Sequence, residues 1–182
     1  MKTMQERLAI LVPDPAKLEK FEALKKAYEH VSHGDLIRAA KAVGYPPGLL
    51  RIALRAYQWP RQLSYRGAIS RAVFPTRGIA AGSSTATYEL WAVLKPVMDT
   101  LALRMPAAIA CLHVDDLCVT TTDVDAEVSA HQLIDAAEIV NHEITTTLGM
   151  QFASDKGFVI ATTEAAARLA SALLPMPTQA AR

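Results

Sequence analysis

Ile109-Ala110-Cys111-Leu112-His113-Val114-Asp115-Asp116-Leu117-Cys118-Val119-Thr120-Thr121 is the stretch on which the fold turns. Two β-prone runs, Ile109 to His113 and Leu117 to Thr121, flank an acidic break at Val114, Asp115 and Asp116. That pattern predicts an antiparallel hairpin with adjacent carboxylates at its bend. Two such carboxylates repel, and burying them uncompensated is expensive. A divalent cation removes that objection, because Mg²⁺ prefers hard oxygen ligands. Successive strand side chains face opposite ways, so both aspartates cannot point straight at one site. A tight turn relaxes this: one aspartate can be a first ligand with the other behind it. The alternative is a solvated turn whose aspartates only cap the bend.

Outward from the hairpin, residues 125–148 read as a helix. Gln151 to Ala153 and Phe158 to Ala161 flank Ser154-Asp155-Lys156-Gly157, which predicts a second hairpin with turn chemistry. An alanine-rich helix then ends near Leu174, and Pro175 to Arg182 is expected to fray. On the upstream side, a helix from about Thr85 to Leu103 contains Pro96 as an expected kink. Before it lie the glycine-containing loop Pro75 to Ser84 and two strand-like runs, Gln62 to Arg66 and Ala68 to Phe74, hinged at Gly67. Short helices are expected at 34–43 and 48–57. Asp14-Pro15 reads as an N-cap with proline at the first helical position. Leu18, Phe21, Leu24, Tyr28 and Val31 follow at helical spacing, which predicts an amphipathic helix. Helices mixed with hairpins make an α+β domain with an antiparallel sheet.

The 182 residues are 51% apolar, enough for a packed core. The net charge of +1 hides a split. From Leu36 to Tyr88 there is no Asp or Glu, and Arg38, Lys41, Arg51, Arg55, Arg61, Arg66, Arg71 and Arg77 give that segment +8. The other 11 basic and 18 acidic residues leave the rest at −7. No run reaches the roughly eighteen apolar residues of a membrane span, and Leu8 to Val12 is too short for a signal-peptide core. Cys111 and Cys118 have no CxxC spacing, so no disulfide framework is expected and an intracellular location, cytoplasmic or nuclear, is the default. His30 and His33, at i and i+3, lack a third ligand nearby and read as solvated helix histidines.

Three further features carry chemistry. Arg77, Gly78, Ala81, Gly82 and Ser83 precede a long helix, where a glycine and a helix N-terminus can receive a phosphate or merely form a capped start. Lys156 can reach a phosphate or sit in solvent. Arg51, Arg55, Arg61, Arg66 and Arg71 are interleaved with Tyr57, Trp59, Tyr65 and Phe74. Arginines neutralise phosphates and aromatics stack on bases, while the alternative is a solvated face with Tyr57 and Trp59 in the core.

In this order, the segments resemble the palm of a reverse transcriptase, an RNA-directed DNA polymerase, of the non-LTR retrotransposon and group II intron type. Tyr28 to Val31, Leu36 to Gly44 and Pro46 to Leu50 resemble the region after the family's first catalytic strand. Phe74 to Ser84 resembles its RGxxQG segment, with Ala81 for the glutamine and Ser84 for the following proline. His113 to Leu117 resembles its aromatic-x-Asp-Asp hairpin, and Leu148 to Lys156 its glycine- and lysine-bearing continuation.

The resemblance implies a polymerase-palm-like sheet packed on helices and two-metal nucleotidyl transfer with Mg²⁺ or Mn²⁺, two ions if active. It makes Asp115 and Asp116 metal ligands and Lys156 a candidate proton donor to pyrophosphate. Gly82 and its neighbours would line the incoming nucleotide, and the partners would be an RNA or DNA template-primer and a dNTP. The family's other metal-binding aspartate falls on Ala23. Glu22 is one place off, on the opposite face of a strand, and Glu19 would serve only on a helix. The chain is therefore expected to be inactive alone. It divides into a non-matching, helical segment at 1–22, a reverse-transcriptase-like palm at 23–162, and a C-terminal helix and tail at 163–182, with fingers and thumb largely missing. The competing expectation is a non-catalytic module, derived from a retroelement, that binds nucleic acid or another protein.

Overall fold

The computed structural model describes residues 16–80, 82–153, 156–174 and 178–180. Its fold is α+β. The chain divides into two compact units, one formed by Met1–Ala23 with Met98–Arg182 and the other by Leu24–Val97. The expected tail falls partly outside the described residues, as do the Asp14-Pro15 cap, Ala81, Ser154 and Asp155.

In the first unit β1 is Ala16–Ala23, β4 is Ala108–His113, β5 is Asp116–Asp123, β6 is Phe158–Ala161 and β7 is Thr178–Ala180. They form one sheet in the order β4-β5-β1-β6-β7. Pairing is antiparallel as far as β6, and β7 lies parallel to β6. Helices α5 (Ala126–His142) and α6 (Glu164–Leu173) pack on the sheet. Leu18, Leu117, Val119, Val159 and Ala161 are buried on the covered face. They meet Ala130, Leu133, Ala136 and Val140 of α5 and Ala166 and Ala170 of α6 in one apolar layer. The Thr121 hydroxyl donates to the Ser129 carbonyl at 2.9 Å, tying β5 to α5 inside that layer.

The helix expected from Leu18 to Val31 is not formed: residues 16–23 are the sheet's central strand. Two features favour the strand. Lys17 pairs with Glu19 at 2.6 Å on one face, and Lys20 with Glu22 at 3.1 Å on the other. Side chains two apart share a strand face and do not meet on a helix. Lys26, at φ +50, then interrupts the chain before the short helix α1 (Ala27–His30). Two expectations near the C-terminus are also corrected. Gln151 to Ala153 forms no strand with β6, whose partners are β1 and β7. Residues 178–180 are ordered in β7 instead of fraying.

The second unit holds α1, α2 (His33–Ala42), α3 (Pro47–Tyr57), the hairpin β2 (Ser64–Tyr65) and β3 (Ala68–Ile69), and the start of α4 (Ala86–Arg104), which contains Pro96. Pro47 opens α3 within its first turn, where its missing N–H costs nothing. Arg66 and Gly67, both at positive φ, form the two-residue turn that fits the twist of a hairpin.

A polar knot lies in this unit's core. Glu89 is fully buried in the first turn of α4, accepting from the Tyr57 hydroxyl at 2.6 Å and the Tyr45 hydroxyl at 3.3 Å. Burial, assisted by Glu89, holds the Tyr57 hydroxyl above its ordinary range, so it stays a donor. His33 is buried against Tyr57, ring centroids 6.4 Å apart, with its Nε2 3.1 Å from the Gly78 carbonyl. It is a core residue, not the solvated histidine expected. Tyr57→Phe strips a donor from a buried carboxyl and is expected to cost about 2 kcal/mol of unfolding free energy. Urea unfolding measures it, and an unchanged midpoint would mean that Glu89 finds other partners.

Candidate functional site

The acidic hairpin forms as its sequence dictates. His113 pairs with Asp116 across the two-residue turn Val114-Asp115. Val114 sits at φ +60, a conformation costing a β-branched residue about 1–2 kcal/mol. Strain of that kind persists only where the surroundings fix it. Asp115 is half-buried in the turn, and Asp116 is exposed at the start of β5.

Register places Asp116 in a row. His113 of β4 is opposite it on one side and Ala23 of β1 on the other. Directly paired residues share a face, so all three project from the face opposite α5 and α6. Asp116, Ala23, Lys156, Glu22 and Phe158 line a cleft of 340 Å³ at this end of the sheet. The Ala153 N–H donates to the Ala23 carbonyl at 2.9 Å, and the Lys156 N–H to the Ala153 carbonyl at 3.3 Å. These bonds tie Ala153 to the end of β1 and Lys156 to Ala153.

Of the expected site residues, Asp116 and Lys156 are thus brought together around Ala23. Asp115 is in the turn but does not line the cleft. Phe158, an apolar strand residue in none of the motifs, does. Glu22, on the other strand face, borders the cleft while its carboxylate is paired with Lys20. Glu19 shares the face of Ala23 but lies four residues away, about 13 Å along a strand, and is paired with Lys17.

These donors do not fit two Mg²⁺ or Mn²⁺ ions. Where the second carboxylate would face Asp116, there is a methyl group. Among the described residues, no three of His, Cys, Asp and Glu converge to hold a metal.

The remaining candidates lie in the second unit. Arg77 forms a β-bridge with Ser32. Gly78 is buried, and its N–H donates to the Val31 carbonyl at 2.8 Å. A Cβ on Gly78 would lie 3.5 Å from both the Glu29 Cα and the Tyr28 carbonyl, at a φ of +96. The space would admit a Cβ, so it is the backbone conformation that favours glycine here, and its N–H is already used. Gly82, at φ +87, has open space around it. The Ser83 hydroxyl lies 3.3 Å from that of Thr85, at the start of α4.

The five arginines are all exposed. Arg51 and Arg55 lie one turn apart on α3, whose opposite side buries Leu50, Ala53 and Tyr57. Arg61 bridges to Val73 at the base of the β2–β3 hairpin, and Arg66 stacks over Tyr65 at its tip, 5.2 Å from the ring centroid. Tyr57 is core, whereas Trp59, Tyr65 and Phe74 are each about 70% exposed.

In sequence, the chain matches no family model and no curated protein. In structure it is similar to apo telomerase from Candida tropicalis truncated from its C-terminal domain, with a TM-score of 0.57 at 11% identity over 88% of this chain. It is also similar to telomerase from Candida albicans in complex with a TWJ fragment of telomeric RNA, with a TM-score of 0.60 at 12% identity over 89% of this chain. The chain spans about a third of the length of those structures, 36% and 30%. The likeness shows a reverse-transcriptase-like fold. No helix among the described residues is long and apolar enough to cross a membrane.

Proposed function

We propose that this chain is a reverse-transcriptase-like domain of the retroelement type that contacts nucleic acid and does not carry out nucleotidyl transfer by itself. The observation that carries the reading is Ala23 facing Asp116 across β1 and β5. The acidic hairpin, its lysine and the neighbouring strand are arranged around a cleft, yet the facing strand offers a methyl group. Asp115 and Asp116 can hold one hydrated Mg²⁺ or Mn²⁺ at most. Lys156, beside Asp116, is suited to a phosphate oxygen. A template-primer and a dNTP are the ligands such a fold would take, with the +8 segment meeting the phosphates. One structural neighbour holds an RNA, which agrees with that class of partner.

A gel shift with primer–template against heparin at two salt concentrations, run beside primer extension with Mn²⁺, tests both halves. Retention of primer–template over heparin, with no extension, is expected. Equal competition by heparin would instead identify a protein-interaction module. Processive extension would overturn the account of Ala23.

A further inference from the structure

The face of the sheet opposite α5 and α6 carries a feature unrelated to carboxylates. Cys111 of β4 is directly paired with Cys118 of β5, and both are free thiols. They are the chain's two cysteines, equally far from the Val114-Asp115 turn. Opposed residues of an antiparallel pair have Cα atoms about 4.5–5.5 Å apart, within the roughly 4.4–6.8 Å that a disulfide spans. Their side chains share a face, so no strand has to rotate to bring the sulfurs together.

The two thiols differ in access. Cys111 is exposed on the edge strand. Cys118 is half-buried between β4 and β1, its sulfur 3.8 Å from the Thr120 hydroxyl. The accessible sulfur therefore meets an oxidant first, and the enclosed one is placed to resolve the product.

We infer that Cys111 and Cys118 form a reversible redox site, oxidised by a small-molecule disulfide to an intramolecular cross-strand disulfide. Cys111, as thiolate, attacks one sulfur of the small disulfide. One small thiol leaves with the proton that Cys111 gave up, and a mixed disulfide remains on Cys111. Cys118 then attacks the Cys111 sulfur, and the second small thiol leaves with the Cys118 proton. Two electrons pass from the cysteine pair to the small disulfide, yielding one protein disulfide and two small thiols. The bond would staple the edge strand to the strand that begins at Asp116, two residues from Cys118.

The test is oxidised glutathione on the full chain, with acid quenching and maleimide tagging of remaining thiols under denaturing conditions. Both tags should be lost together, leaving a monomer two hydrogens lighter and free of glutathione. Dithiothreitol should restore both tags. Cys118→Ser should stop at a glutathione adduct on Cys111. A wild-type chain that also stops at that adduct, or that links into dimers, would overturn the inference. So would Cys111→Ser losing its remaining thiol as fast as the wild type does.

Discussion

Ala23→Asp is expected to give this chain a far tighter divalent-metal site than the wild type has. Paired residues on neighbouring antiparallel strands have Cβ atoms about 4.5–5.5 Å apart, so a carboxylate at position 23 would share one cation with Asp116. His113, on the other side of Asp116, completes a row of three donors. The 340 Å³ cleft leaves room for the carboxylate and for metal-bound water. Without metal the new carboxylate, at a buried position and beside a like charge, should lower stability by more than the roughly 0.2–1 kcal/mol of an exposed like-charge pair. With Mn²⁺ the sign should reverse, because an ion that binds only the folded state stabilises it. Mn²⁺ affinity is expected to rise at least about a hundredfold over wild type, about 2.7 kcal/mol. Titration calorimetry and thermal melting read both effects. Adding Asp116→Asn should abolish the gain. If Ala23→Asp titrates like the wild type, the two positions do not face a common site, and the account of the incomplete centre fails with them.

The acidic hairpin was legible because its signals agree. Two apolar runs flank a polar break, and a two-residue bend leaves no competing register. β1 was not, because Leu18, Phe21, Leu24, Tyr28 and Val31 satisfy a helical period, and only pairing with β5 and β6 overrides it. The deciding clue was in the charges: Lys17 with Glu19 and Lys20 with Glu22 pair at the strand period. The family resemblance located Ala23, but its partner across the sheet required register, a long-range property. The same holds for Cys111 and Cys118, which lack CxxC spacing but stand at equal distances from the turn and so face each other across it. His33 looked solvated because one sequence cannot show that Gly78, 45 residues on, comes back to meet it.

The arginines of the second unit should account for most of the nucleic-acid affinity, and replacing them is expected to have the other large effect. If Arg51, Arg55, Arg61, Arg66 and Arg71 each neutralise one phosphate, single-strand binding should fall with salt at a log–log slope of about −3.5. Between 50 and 200 mM salt that is a loss of roughly a hundredfold. Changing all five to glutamine keeps polar side chains at exposed positions and so spares the core. Low-salt affinity should then drop by about two orders of magnitude and the slope should flatten towards zero. Tyr65→Ala separates the other component. Tyr65 is exposed beneath Arg66 at the hairpin tip, where a base can stack on the ring. Removing that platform should cost about 1–3 kcal/mol while leaving the salt slope unchanged, because no phosphate contact is lost. Fluorescence anisotropy across a salt series gives both quantities from one set of titrations. A five-glutamine variant with the wild-type slope would mean that these arginines are only a solvated face.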